Sequence, residues 1–464
     1  MPISRSQVLE SAKKFRDQSV FCIWLCIWPI MVFVNADGLE IFYGNTKELI
    51  KPLDYKMLEP WLKTGLLTSN GAKWRTRRRI LTPSFHDTNL LNSFLPIFNE
   101  QSKICISRFE KVVNKPTNLY PYITACTLDI ICEAAMGTSS MAQIENSTYV
   151  DAVAKISDII IRRWTTPWIW PDFLFKMSSL GRDHDNTLKI LHDYTRKFIN
   201  IRTAEFEKNQ LNTKRMAFLD TLLTKMHEER LTMDDIQEEV DTFMFEGHDT
   251  TAAALSFALF LIALHPDVQQ KLYNEIDQIF SDDVERACTM DDLKQMDYLE
   301  CVIKESLRLL PSVPGILREA QEDFIYNGHK ILAGTRCVIS ILAIHLDPKY
   351  YPEPNKFDPE RFRPENTAQR SPYAFIPFSA GSRNCIGMNE KTSFLFYPFN
   401  HNGKLASVCL GQRFALIEEK VFLSTLLRKF SLTTEQKVED LHLASEIILR
   451  PTVPIQITLK YRQE

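Results

Sequence analysis

The sequence is poor in several features that would indicate other classes of protein. Its 464 residues include only 14 glycines, which disfavours a glycine-rich dinucleotide-binding sheet. The formal charge is −3, with 55 basic and 58 acidic residues, and gives no indication of nucleic-acid binding. The ten cysteines form no CxxC pair, and the chain is far longer than a disulfide scaffold. We therefore expect a reducing compartment in which most thiols are small core residues.

The sequence also lacks an apolar run that is long enough to span a membrane. Val20–Val34 has 15 apolar residues with Pro29 among them, whereas a spanning helix needs about 20. No basic cluster or small-residue cleavage site marks it as a signal peptide. Its tryptophans, β-branched residues and proline favour two short buried strands that break near Pro29. The sequence therefore predicts no membrane span.

Helical periodicity and phenylalanine, by contrast, are abundant. The 29 phenylalanines indicate large helical cores with apolar pockets. The longest predicted helix is Met233–Leu264, which Thr232 can cap and Pro266 ends. Its second half is apolar on every face, so it should run through the protein centre. Shorter helices are predicted at 87–113, 119–136, 183–208, 216–227, 296–309 and 412–427. Short strands are predicted within 324–341, joined by turns at Asn327-Gly328 and Ala333-Gly334. The seven prolines of 348–377 predict an irregular segment there.

The sharpest signal is a glycine-rich loop that contains one cysteine. Phe378–Gly387 has the pattern Phe-x-x-Gly-x-Arg-x-Cys-x-Gly, with Arg383 and Cys385 at its fixed positions. Here the chain resembles the cytochrome P-450 superfamily of haem-thiolate monooxygenases. The resemblance implies haem b, whose iron Cys385 would ligate as a thiolate and thereby favour O–O cleavage. Gly381 and Gly387 would let the backbone fold tightly around the sulfur.

Further family motifs follow in the expected order, and two of them imply a charge network. Glu305 and Arg308 lie three residues apart on one predicted helix face. The segment Phe357–Phe362 adds Arg361. The resemblance implies that the three form a buried structural network near the cysteine loop. A surface ion pair is the alternative for any one of them.

Four residues are candidates for holding the haem propionates. Trp74 and Arg78 match the Trp-x-x-x-Arg pair of the family, and Arg318 follows Arg308 by ten residues. The resemblance implies that Trp74, Arg78, Arg318 and Arg383 form this clamp, to which the planar fork of arginine is suited. The resemblance places Trp74 and Arg78 on an early helix, where the remaining basic side chains are Arg75, Arg77 and Arg79. Their interpretation stays open between a solvated face and a docking patch for an acidic redox partner.

The middle of the longest helix carries the oxygen-activation motif of the family. Gly247-x-Asp249-Thr250 precedes its apolar half, where charged groups are costly to bury unless they serve a function. The resemblance implies that Gly247 makes room for dioxygen against the helix. Thr250 would hydrogen-bond to oxygen or a water, and Asp249 would relay protons.

The residues around this motif resemble family 4 of the superfamily, which is rich in fatty-acid omega-hydroxylases. The resemblance rests on Thr242–Thr250, Trp61–Thr68 and Leu81–His86. In many members the matching glutamate forms an ester with a haem methyl. Glu246 therefore has two open interpretations, a covalent haem anchor or a neutral buried acid with a raised pKa.

The chain departs from the family at two places. It begins in what corresponds to the first family helix, so we expect that the N-terminal membrane anchor is missing. Residues Met388–Gly411 add 24 residues between the cysteine loop and Gln412–Lys420, where the family motif resumes. An unspliced intron or a faulty gene model would explain this insertion. The following helix could keep its place while the insertion bulges outward, or the helix could be displaced.

The expected fold is the mainly α cytochrome P-450 prism with a small β-rich lobe, as a single domain over 1–464. The expected activity is omega-hydroxylation of a fatty acid or related apolar lipid with dioxygen. The resemblance implies that NADPH-cytochrome P-450 reductase supplies the electrons, and it leaves a contribution of cytochrome b5 open. It also implies that the protein is located on the cytosolic face of the endoplasmic reticulum membrane. The alternative is a non-catalytic or misassembled product of an incomplete or mis-spliced gene model.

Overall fold

The computed structural model describes residues 3–25, 28–45, 49–85, 88–145, 147–208, 217–281, 283–386 and 410–462. The α-helices in these ranges are α1 Arg5–Phe15, α2 Ala36–Asn45, α3 Glu59–Leu62, α4 Gly71–Leu81, α5 Thr88–Phe109, α6 Tyr120–Met136, α7 Thr148–Trp164, α8 Asp172–Met177, α9 Ser179–Glu207, α10 Phe218–Glu228, α11 Met233–Leu264, α12 Pro266–Phe280, α13 Met290–Gln295, α14 Asp297–Leu309, α15 Ile341–His345, α16 Pro364–Thr367 and α17 Leu410–Lys429. The strands are β1 Ile3–Ser4, β2 Val20–Leu25, β3 Trp28–Phe33, β4 Leu49–Ile50, β5 Thr117–Asn118, β6 Ile316–Ala320, β7 Phe324–Tyr326, β8 His329–Ile331, β9 Arg336–Ile339, β10 Phe430–Thr433, β11 Leu443–Ser445, β12 Leu449–Pro451 and β13 Gln456–Tyr461.

Helix α11 is the axis of the fold, and its predicted bounds are confirmed. Thr232 caps it, because its hydroxyl accepts the Asp235 N–H at 3.1 Å while the Asp235 carboxylate accepts the Thr232 N–H at 2.8 Å. The helix is long and apolar enough to cross a membrane, but 83% of its most apolar window is buried inside the protein. It is therefore a core helix, and it packs closely against α6.

The largest sheet joins the N-terminal strands to strands from the second half of the chain. Its order is β2-β3-β9-β6-β4, and β3 and β9 are parallel. The two predicted strands in 20–34 exist, but the second begins at Trp28, so Pro29 lies within β3 opposite Trp24. The prediction that both strands are buried is confirmed for residues 30–33 of β3. It is wrong for β2, whose described side chains are half-buried or exposed, with Trp24 68% exposed.

Smaller sheets complete the β-rich part. Their orders are β10-β13-β5, β1-β11-β12 and β7-β8. The predicted Asn327-Gly328 turn joins β7 to β8, and both residues have positive φ, at 47° and 79°. The proline-rich segment 348–377 contains only single helical turns between irregular stretches, as predicted.

Helix α17 follows the predicted insertion and remains packed in the core. Residues 387–409, which include Gly387 and most of the insertion, lie outside the described residues. The Phe414 ring lies 5.8 Å from that of Phe94 and 4.9 Å from that of Phe98, both on α5. The sequence left open whether this helix keeps its place or is displaced by the insertion. In the structure it keeps its place, in contact with α5 and α11.

Candidate active site

One cavity of the described residues collects side chains from most of the predicted motifs. It is bounded by α11, by the cysteine loop (residues 377–386) and by the turn between β11 and β12. The predicted site residues on its wall are Trp74, Arg78, Glu246, Gly247, Thr250, Arg318, Phe378, Arg383 and Cys385. Apolar side chains from several helices cover much of the rest, among them Leu91, Phe94, Ile131, Phe218 and Phe243. The cavity thus suits an apolar molecule that also carries anionic groups.

The cysteine loop presents the Cys385 side chain to this cavity. The Cys385 N–H donates to the Phe378 carbonyl oxygen at 3.1 Å, which closes the loop on itself. Gly381 has a φ of +73°, so the tight turn predicted there is confirmed. Six of the other cysteines that the structure describes are buried, as expected for core thiols, whereas Cys385 is partly accessible from the cavity.

The predicted clamp residues lie around this loop. The Arg383 guanidinium stacks 4.1 Å from the Trp74 ring. Arg78 donates to the Asn384 carbonyl oxygen at 2.9 Å and to the Cys385 carbonyl oxygen at 3.2 Å, so it also holds the loop backbone. Arg318 donates to the Arg383 carbonyl oxygen at 3.3 Å. The cationic groups thereby converge on one end of the cavity.

The α11 motif has local contacts that the sequence did not reveal. The Thr250 hydroxyl donates to the Glu246 carbonyl oxygen at 2.7 Å, the usual bond of a helical threonine to its own backbone. A Cβ at Gly247 would lie 2.7 Å from Ile131 Cδ1. A larger residue at this position would therefore force the Ile131 side chain on α6 to move, a packing constraint that adds to the predicted role of Gly247.

Asp249 points away from the cavity wall that Thr250 lines. Its carboxylate forms a buried ion pair with Arg450 and accepts a hydrogen bond from the Tyr120 hydroxyl at 3.2 Å. Arg450 also donates to the Tyr120 oxygen at 2.7 Å. The three side chains form a closed polar cluster between α11, α6 and β12.

Glu246 is a buried carboxyl on the cavity wall. Burial raises its pKa to about 7, although the positive charges of Lys51 and Arg78 act in the opposite direction. The group is thus poised between its neutral and ionised forms at neutral pH. Both interpretations of Glu246 stay compatible with this position.

The residues of the predicted charge network are in contact. Arg308 and Glu305 form a two-point pair, with Nε–Oε2 at 2.6 Å and Nη2–Oε1 at 2.7 Å, and both side chains are fully buried. Arg361 Nε lies 3.6 Å from Glu305 Oε1. Arg308 also donates to the backbone carbonyl oxygens of His345 and Pro354 at 3.1 and 2.7 Å. The network therefore ties α14 to α15 and to the proline-rich segment.

Several site residues were missed at the sequence level: Lys51, Tyr55, Tyr120, Asn384 and Arg450. Lys51 and Tyr55 line the cavity from the segment between β4 and α3, whose sequence shows no helical or strand periodicity, and Tyr55 lies in a short 3₁₀ turn, Leu53–Met57. Arg450 meets Asp249 across 201 residues of sequence. The helical period alone could have indicated that Asp249 and Thr250 face different directions, because consecutive residues are about 100° apart around a helix.

The residues present fit a haem group. The apolar walls suit a porphyrin, the cationic end suits its two carboxylates, and Cys385 offers a sulfur to the metal. Arg318 is almost completely buried, yet its Nε has no hydrogen-bond acceptor within the described residues. A buried guanidinium donor without an acceptor is costly, and a bound carboxylate would satisfy it.

Comparisons with known proteins give the same family for the whole chain. The sequence model of the family described as cytochrome P450 matches residues 4–390 and 389–459. The chain is 44% identical to cytochrome P450 4V2 of Mus musculus, over 99% of the chain and 85% of that protein. It is 41% identical to cytochrome P450 4c3 of Drosophila melanogaster, over 95% of the chain and 81% of that protein.

The fold matches as well. The structure superposes on a cytochrome P450DA haem domain with a TM-score of 0.82, covering 99% of this chain and 93% of that one at 21% identity. The mainly α fold with small sheets, predicted from the sequence, is thereby confirmed. With the family match over nearly the whole chain, this protein belongs to the cytochrome P450 family of haem-dependent monooxygenases and is similar to its family 4 members.

Proposed function

We propose that this cytochrome P450 hydroxylates the terminal carbon of a fatty acid or related long lipid, with Cys385 as the thiolate ligand of the haem iron. The observation that carries the proposal is Cys385 on the wall of an apolar cavity that also contains Thr250 and a cationic end. One oxygen atom of dioxygen enters a C–H bond to give an alcohol. The other becomes water with two electrons and two protons.

Haem, when bound, supplies the activation of dioxygen with electrons from a redox partner. We propose that Thr250 holds a proton near the reacting oxygen, for which its hydroxyl must leave the Glu246 carbonyl. Asp249 would pass protons from the side of α11 that faces Tyr120 and Arg450. The clamp of Trp74, Arg78, Arg318 and Arg383 would bind the propionates. Gly387 would add a further tight turn, and it lies outside the described residues.

The family's need for redox partners supports NADPH-cytochrome P-450 reductase as electron donor, with cytochrome b5 as a second candidate. Kinship with family 4 supports a location on the cytosolic face of the endoplasmic reticulum membrane.

We also propose that Glu246 can form an ester to a haem methyl. Its oxygen would replace one methyl hydrogen, and the two electrons and two protons that are lost would go to dioxygen. Acid extraction tests this link: linked haem should stay on the wild-type polypeptide and be extracted from E246A, and alkaline hydrolysis of the wild type should release haem with one methyl hydroxylated. Complete acid extraction of haem from wild type after turnover would contradict the link.

The reduced, carbon-monoxide-bound absorption spectrum tests the central proposal. The hemin-reconstituted wild type should show a thiolate-type Soret band, and C385S should lose it. C22S is the matched control, because Cys22 is exposed on β2, and it should keep the band. Fatty acids of graded length, supplied with reductase and NADPH, should give mainly terminal alcohols.

The 24-residue insertion makes the same spectrum informative about the non-catalytic alternative. We expect the thiolate band both in the full chain and in a variant without Met388–Gly411. A band only in the deletion variant would identify the interrupted chain as an inactive product. A C385S variant with unchanged band and turnover would contradict thiolate ligation by Cys385.

A further inference from the structure

Lys51 is a cation on the cavity wall that none of the family motifs includes. Its ammonium group donates to the Tyr55 hydroxyl at 3.2 Å and lies 4.3 Å from the centre of the Tyr55 ring. It forms no ion pair with a carboxylate of the residues that the structure describes. Burial lowers its pKa well below the usual value, and the nearby charges of Arg318 and Arg383 lower it further, whereas the charge of Glu246 raises it. Because Glu246 makes no ion pair with it, a buried ammonium in this setting is costly without an anion in direct contact.

The backbone of Lys51 is fixed to the cysteine loop by a single amide side chain. The Lys51 N–H donates to Asn70 Oδ1 at 2.9 Å, and Asn70 Nδ2 donates back to the Lys51 carbonyl oxygen at 3.0 Å. Arg383 Nη2 donates to the same Asn70 Oδ1 at 2.7 Å. Asn70 thus sets the positions of Lys51 and Arg383 relative to each other before any ligand binds.

Arg318 provides a second, independent indication of an anion at this place. Its Nε has no acceptor within the described residues, although the side chain is almost fully buried. Its other donors reach neutral oxygens, those of Leu317, Ser379 and Arg383, and the Tyr55 hydroxyl also interacts with the guanidinium. Lys51 and Arg318 therefore both have hydrogen-bonding capacity directed at the same end of the cavity, where a carboxylate would satisfy both.

We propose that Lys51, held by Asn70 and oriented by Tyr55, is a further anchor for a carboxylate of the haem group. The inference rests on the proposed haem site, and it adds to that site a contact from the segment that follows β4. Lys51 contributes a compact charge, whereas the arginines contribute planar forks. The segment after β4 is thereby fastened to the cofactor as well as to the cysteine loop.

Haem loss tests this role without relying on catalysis. Ferric wild type, K51M, K51R and K63M are reconstituted with hemin and never reduced, so that no ester to Glu246 can form. Each is mixed with excess apomyoglobin, and haem transfer is followed by absorption. K51M should lose haem about tenfold to a hundredfold faster, the usual effect of one hydrogen bond to a charged group. K51R should restore most of the difference. K63M is the matched control, because Lys63 pairs with Asp234 near the surface, 3.1 Å away, and it should match wild type.

Reconstitution with the dimethyl ester of hemin separates a carboxylate contact from a merely structural role. The ester has no carboxylate, so wild type and K51M should lose the esterified haem at equal rates. Equal rates with ordinary hemin would overturn the proposal, and so would a K51M defect of the same size with the ester. Haem transfer can be measured whatever the axial ligand of the iron is. A missing thiolate band would therefore contradict the role of Cys385 without affecting the test of Lys51.

Discussion

Removing the Glu305 carboxylate should destabilise the protein far more than removing its outer partner. In the E305Q variant the Arg308 guanidinium stays buried with its charge uncompensated, although carbonyl oxygens still accept from it. Breaking one partner of a buried pair costs about 3–5 kcal/mol. R361Q is the comparison, because Arg361 lies at 3.6 Å from Glu305 without a hydrogen bond. We expect about 1 kcal/mol or less for R361Q.

Urea unfolding of the hemin-loaded proteins, followed by circular dichroism, measures these differences. A double variant, E305L/R308L, should lose less than the sum of E305L and R308L, because neither charge is then left alone. Since whole domains are stable by about 5–15 kcal/mol, E305Q should also be recovered in much lower yield. Equal unfolding free energies for E305Q and R361Q would refute the view that the buried pair requires both members.

Two further predictions concern packing and protonation. Burial, aided by the nearby charge of Arg308, lowers the pKa of His345 from 6.5 to about 3. Its Nε2 accepts the Ile376 N–H at 2.8 Å, which requires the neutral ring. Wild-type stability should therefore fall as the pH drops below 6.5, where only the unfolded chain protonates. H345Q should remove up to about 1.4 kcal/mol per pH unit of that slope in urea titrations, and an unchanged slope would contradict this. G247A should cost about 1–3 kcal/mol of stability, because the new Cβ contacts the Ile131 side chain. In thermal melting, G247A/I131A should lose less stability than the sum of the losses of G247A and I131A; additive losses would exclude that contact.

The features that were predicted well depend on local sequence. The Thr232 cap and the Asn327-Gly328 turn involve side chains and dihedral angles within a few residues, and both are present. The cysteine loop was recognisable because its conformation and its chemistry lie in one short segment. Helix α11 was predicted to the residue, since its cap, its apolar run and its terminating proline are all contiguous.

The features that were missed depend on distant parts of the chain. Arg450 reaches Asp249 only because β12 packs beside α11 and α6, and nothing within its own segment marks it as a partner. Asn70 connects Lys51 to Arg383 across 313 residues. The exposed end of the β2–β3 pair also follows from tertiary position, because its composition alone is that of a buried strand. Such contacts are decided by packing, on which single-sequence periodicity gives no information.

The parallel pairing of β3 with β9 has a consequence for synthesis on the ribosome. Phe33 pairs with Ile339, so an early strand waits for a partner that is translated about 300 residues later. At about 5–20 residues per second this delay lasts roughly 15–60 s. During that interval the β3 edge of the apolar N-terminal hairpin is unpaired as well as the outer edge of β2, which makes the hairpin a natural target for chaperones that act on nascent chains.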